Sequence, residues 1–284
     1  MEKKFINNPF RVLGVLGNSK IKDVQKNISK IKAYTKVGKQ IDLDYDFPFL
    51  SENGLNRDQK SISKAESQIL QNESKIKFAL LWFVDLSPLD SVALKNLAKG
   101  ETEKSIQIWS KAILNKSISI KNYSAYSNLS TLYLLSAFAK PLKELTSLEE
   151  NKQIINNLIK AIELKHQFIS SVYFNNFNNL ITKSDYTFSK IDAEVFYFEE
   201  IKNLINNGLS SSDTLNIFKG LDVDTRRMFT ESLIEEPISN IKKHISEAKE
   251  HISKDASLGV VTGKSLIKKS LIEVLNNKCV ALMG

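Results

Sequence analysis

The sequence predicts an all-α fold, and three observations carry that prediction. Apolar residues recur at intervals of three and four along most of the 284 residues, the period of one helical face. Gly and Pro number only 10 and 5, too few for the many tight turns of a β-sandwich or for a Gly-rich cofactor fold. The five prolines punctuate this pattern, because proline suits a helix's first turn and disrupts its interior: Pro9 and Pro88 open helices, Pro141 ends the segment before it, Pro237 breaks or kinks a helix, and Pro48 lies in a connection.

The elements follow in order. Asn8-Pro9 places a cap before a first-turn proline and opens a short helix running to about Val15. Ile21, Val24, Ile28, Ile31 and Tyr34 line one face of a helix over 22–36, with Lys22, Lys26, Lys30 and Lys36 largely elsewhere around it. A connection over 40–56 follows, longer than most in compact domains. Its Phe47-Pro48-Phe49-Leu50 is expected to tuck back onto the helices; the alternative is an exposed docking motif led by Phe47 and Phe49. A third helix is expected to start near a cap at Asn56 and to carry Ile62, Ala65, Ile69, Ile76, Ala79 and Leu80, packing antiparallel on the second. Ser87-Pro88-Leu89-Asp90 repeats the cap-proline-acid pattern and opens the next helix, with Asp90 set near the positive end of the helix dipole.

Beyond residue 170, Phe174, Phe177, Phe188, Phe196, Tyr197 and Phe198 read as core aromatics. Helices are expected over 192–207, 212–219, 224–254 (broken or kinked at Pro237) and 262–276. The apolar, uncapped ending Cys279–Gly284 points to docking against a partner or to a truncated chain.

The net charge of +8 is unevenly spread. Residues 1–84 carry 15 Lys and Arg against 9 Asp and Glu, whereas 166–237 carry 6 against 11. Arginine occurs only at 11, 57, 226 and 227, although its planar fork is the usual bidentate contact to phosphates and bases. A solvated lysine surface therefore fits better than a specific nucleic-acid site, which stays open as an alternative. The single cysteine excludes internal disulfides and suits a reducing, cytoplasmic setting.

No chemistry-bearing constellation emerges. Gly259–Ser265 imitates a phosphate loop but has three residues between its glycines where four are needed, and a cap at Thr262 explains it. His166, His244 and His251 lack the spacing of a zinc set, and no acid/base pair can be nominated. We expect neither catalytic residues nor a cofactor or metal site.

Two resemblances add to this reading. Asn8-Pro9-Phe10-Arg11-Val12-Leu13-Gly14-Val15, the lysine-rich helix after it and a further helix ending Ala79-Leu80-Leu81-Trp82-Phe83 together resemble a J-domain. The connection holds Asp42–Phe49 where that family has His-Pro-Asp, and no histidine precedes His166. The run Gly100–Ile113 resembles the "G-D-Y-E-K-A-I-x-Y-Y-x-K-A-L" helix of a tetratricopeptide repeat, and Ala125–Tyr133 resembles that family's "A-Y-x-N-L-G-x-L-Y". A second helix follows over 154–169. Trp109 and Tyr133 are expected to fill the space between helix pairs, and Ala112 to let paired helices approach closely. The arrangement as a whole is similar to that of bacterial proteins joining a degenerate J-like domain to such repeats.

The resemblances imply a J-domain-like hairpin over 1–86, an irregular tetratricopeptide-like array over 87–170 and a C-terminal helical region over 171–284. They also imply a protein partner. In a J-domain that partner is a chaperone ATPase, met by basic residues to which Lys26 and Lys30 correspond. Three functional readings stand: a non-catalytic interaction or scaffold protein, a divergent co-chaperone, and a nucleic-acid-binding helical protein.

Overall fold

Asn8 caps the first helix as its sequence requires. Its side-chain oxygen accepts from the Phe10 N–H at 3.0 Å, and its amide reaches across to the Phe78 carbonyl at 3.0 Å. In the computed structural model, which describes residues 7–39, 41–50, 55–138, 148–205, 216–227 and isolated positions between 231 and 247, this helix (α1) spans Pro9–Val12. It stops short of Val15 because Gly14 turns the chain at φ +61°. A Cβ on Gly14 would lie 2.2–2.9 Å from three side-chain carbons of Leu43, so only glycine lets the loop close here.

The helices that follow are α2 (Ile21–Lys36), α3 (Gln59–Leu70), α4 (Asn72–Leu80), α5 (Pro88–Ala98), α6 (Thr102–Ile113), α7 (Tyr123–Ala137), α8 (Leu148–Ser170), α9 (Phe174–Thr182) and α10 (Lys190–Ile205). Among the described residues there is no strand, as the composition requires.

Two details depart from the sequence reading. The third helix begins at the cap Asp58, whose side chain accepts from the Ser61 N–H at 2.7 Å, while Asn56 only braces Asp58. It is also interrupted. Gln71 is extended (φ −89°, ψ 123°), dividing α3 from α4, and the Asn72 amide that follows donates to Ser184 Oγ at 3.3 Å. Within α2, only Val24, Ile28 and Ile31 of the apolar set are buried; Ile21 and Tyr34, near the two ends, are exposed. Helix α9 forms although its sequence, Phe-Asn-Asn-Phe-Asn-Asn, is rich in a residue that favours turns, and only Phe174 and Phe177 mark it as core.

The chain divides into two units, Met1–Gly208 and Leu209–Gly284. The positions where the sequence reading divides the chain, after 86 and after 170, lie within the first. There α1 packs on α3 and α4, α2 on α3, and α5, α6, α7 and α8 follow one another in contact. Helices α9 and α10 pack on α8 and return to α4. The segment Leu81–Val84 leaves α4 in non-helical form and is wholly buried. Val15–Asn18 lies alongside it: the Trp82 indole N–H donates to the Val15 carbonyl (2.9 Å), Gly17 N–H to the Phe83 carbonyl (2.9 Å), and Asn18 pairs both ways with Asp85. The opening motif and the "LLWF" segment are thus two sides of one joint.

In the second unit, Ile217, Phe218 and Leu221 are buried and 223–227 is helical. The readings on Pro141, on the helix over 262–276, on the glycine loop at 259 and on Cys279 lie outside the described residues, as does most of the helix expected over 224–254.

Candidate functional site

Helix α2 has one face in the core and the other in water. At about 100° per residue, Val24, Ile28 and Ile31 point one way, and Lys22, Lys26, Lys30 and Lys36 fall within about 120° of each other on the opposite side. All four lysines are exposed, with Ser29, Ala33 and Val37 between them. Lys32, at the border, pairs with Glu66 at 3.7 Å. The four outer lysines have no ion-pair partner among the described residues. Lys26 and Lys30 therefore stand at the centre of an unneutralised basic stripe.

The connection after α2 is clamped. Arg57 donates to the carbonyls of Val12 (2.8 Å), Ile41 (3.0 Å) and Arg11 (3.1 Å), and forms a two-pronged ion pair with Asp46, 2.7 Å at its longer arm. Asp46 in turn accepts from the Leu43 N–H at 2.8 Å. Arg11 is buried and donates to the Leu50 carbonyl at 2.8 Å. Desolvation lowers its pKa to about 10, with Asp46 offsetting part of that effect and Arg57 adding to it. Both arginines of the first unit are thus spent on holding the connection, and its basic surface is lysine.

Phe47 is 1% exposed and packs edge-on against Phe83, with centroids 5.1 Å apart, and at 5.9 Å from Trp82. Phe49 is half-buried and stacks on Phe47 at 6.2 Å. The structure joins these two candidates in one aromatic cluster and leaves only Phe49 partly open to solvent.

Two buried polar centres escaped the sequence reading, and both grip α7. Asp90 is fully buried and accepts from the Leu86 N–H (3.2 Å), Ser87 Oγ (2.9 Å), Trp109 Nε1 (2.9 Å), Ser124 Oγ (2.7 Å) and Asn128 Nδ2 (2.9 Å). It lies in the first turn of α5, at the positive end of the dipole as its sequence position indicates, and it is also the knot of α5, α6 and α7. Asn128 also bonds both the N–H and the carbonyl of Val84. Tyr123 nearby is pushed up to about 12 by burial and, to a smaller extent, by the Asp90 charge.

The second centre is Lys165 of α8, fully buried over Ser127 and Thr131. On the next turn, Ser130 donates to the Ala161 carbonyl at 2.6 Å and meets the Tyr197 hydroxyl at 3.1 Å. Trp109 is buried as expected and stacks on Phe83 at 6.1 Å, whereas Tyr133 is only half-buried, with Lys160 over its ring at 5.0 Å. His166 bonds Glu194 at 2.9 Å, and Ser170 Oγ donates to the same carboxylate oxygen at 3.1 Å. No group of three or more His, Cys, Asp or Glu that could hold a metal occurs among the described residues, and no described helix is long and apolar enough to cross a membrane.

These features define an all-α protein with an outward basic face on α2 and an apolar interior that encloses two tightly bonded polar centres. No protein-family model, curated protein or solved structure matches the chain.

Proposed function

We propose that this protein is a non-catalytic interaction module that docks an acidic surface of a partner protein on the α2 lysine stripe. The observation that supports this reading is the set of four exposed lysines, none with an ion-pair partner among the described residues, opposite the face that anchors α2 in the core. Such a stripe costs self-repulsion in the free protein, and an acidic partner relieves it while steering association. The test is affinity purification of the full chain from its native cell, beside Lys26→Glu with Lys30→Glu. A protein recovered with the wild type and lost with the double variant supports the reading; identical recovery refutes it.

A second reading, a divergent co-chaperone, draws on the same lysines together with the order of short helix, basic helix, connection and third helix. Stimulation of a chaperone ATPase that disappears in the double variant would support it, and a flat response of the wild type would sink it. The clamped connection, with Asp46 held by Arg57 and Phe47 in the core, supports docking over stimulation.

A further inference from the structure

Lys165 is fully buried, and among the described residues no anion pairs with it. Its amine nitrogen donates to the Ser127 carbonyl (3.1 Å) and lies 3.1 Å from Ser127 Oγ and 3.2 Å from Thr131 Oγ1. Thr131 spends its own proton on the Ser127 carbonyl at 3.0 Å, so toward Lys165 its oxygen only accepts. An uncharged amine has two protons and one lone pair to satisfy. The three protons of an ammonium would be accepted by the Ser127 carbonyl, Ser127 Oγ and Thr131 Oγ1; in the amine two of these protons remain, and the Ser127 hydroxyl turns to donate to the lone pair. Hydrogen bonding is therefore complete in either form, and the ammonium differs in carrying a buried charge.

The charged form is not compensated. The faces of Tyr197 and Phe168 lie 5.5 and 5.9 Å away, and offset only part of the desolvation cost of an ammonium. The helices packed on α8 are α7, α9 and α10. Of these, α7 brings Tyr123, Tyr126 and Tyr133, and α9 has no ionisable side chain. Helix α10 brings Tyr197, whose hydroxyl is engaged by Ser130, Glu194, which holds His166, and Glu200, which has a partner of its own. On α8 itself Glu163 and Lys160 lie toward solvent. Among the described residues, none forms an ion pair with Lys165.

We propose that Lys165 is an acid-sensitive latch: an uncharged amine that ties α8 to α7 in the closed fold and, once protonated, releases that pairing. Burial holding its pKa well below the usual lysine range agrees with this geometry. The unfolded chain takes up the proton near pH 10.4 and the folded chain only at lower pH, so the unfolded state binds more protons between those two values. Stability therefore rises with pH through that window and is lowest below it.

The test uses the full chain with Nζ- and Cε-labelled lysine, followed by NMR, with the Lys165 signal assigned by its loss in Lys165→Met. The expected result is one lysine that stays an amine while the others protonate near pH 10.4. Lowering the pH from about 10 should raise the unfolding constant of the wild type relative to Lys165→Met about tenfold per pH unit within the window. Below it, amide exchange of α7 and α8 should be faster in the wild type than in the variant at the same pH. A Lys165 signal titrating with the other lysines, or equal exchange in the two proteins, overturns the proposal; the titration needs only the wild type should the variant fail to fold.

Discussion

Replacing Asp90 tests whether the knot at the α5–α6–α7 junction holds this part of the fold. Its Oδ1 accepts from Trp109 Nε1 and Asn128 Nδ2, and its Oδ2 from the Leu86 N–H and the hydroxyls of Ser87 and Ser124. In Asp90→Ala the two hydroxyls can turn to other acceptors, but the indole N–H and the second amide proton of Asn128 cannot, because the Asn128 amide is already fixed on Val84. Each buried orphan donor costs about 1–3 kcal/mol. Removing a buried charge that has no cationic partner among the described residues returns some of that, so the expected net loss is about 2–4 kcal/mol. Asp90→Asn is different: its remaining oxygen can serve the indole and Asn128, while its NH₂ donates to hydroxyls that reverse their roles. That leaves only the long Leu86 contact unmade, an expected loss of about 1–2 kcal/mol. Urea unfolding gives both numbers from the midpoint shift at unchanged slope. Equal losses for the two variants, or a loss below about 1 kcal/mol for Asp90→Ala, would refute the reasoning.

Gly14→Ala should cost more than about 2 kcal/mol, from a left-handed backbone plus a clash with Leu43, whereas Gly38→Ala, at φ +66° with nothing within 4 Å of the added carbon, should cost only about 1 kcal/mol; thermal melts of the pair separate clash from backbone strain. Arg57→Met should cost about 2–4 kcal/mol and expose the 41–58 connection to limited proteolysis, since one side chain holds three carbonyls and Asp46; a cleavage pattern like the wild type's would contradict the clamp. Lys26→Glu with Lys30→Glu should leave the urea midpoint within about 0.5 kcal/mol of the wild type, because both side chains are in water.

Local signals in the sequence located most of the helices. Asn8-Pro9 and Ser87-Pro88 cap where their chemistry says, and the apolar spacing marks α2 and α10 to within a few residues. The buried centres were hidden for a specific reason. An Asp three residues after a capping Ser reads the same whether it faces water or Trp109, Ser124 and Asn128, which lie 19, 34 and 38 residues further on. Lys165 left a clearer trace, since it occupies the apolar register of Leu158, Ala161, Ile162, Phe168 and Ile169, all buried. A lysine in that register is a buried amine or a break in the face, and its hydroxyl partners on α7 come from a helix that buries nearly all its side chains. Tertiary pairing of this kind has no local sequence signature.

The most direct test of the interaction reading puts a photo-crosslinking residue at Ser29, in the middle of the lysine stripe, with a second probe at the exposed Leu180 on α9. The account predicts a protein adduct at position 29 that is absent from position 180, falls with added salt and disappears when Lys26 and Lys30 are changed to Glu. Adducts shared equally by the two positions, or unaffected by the charge reversal, would contradict it.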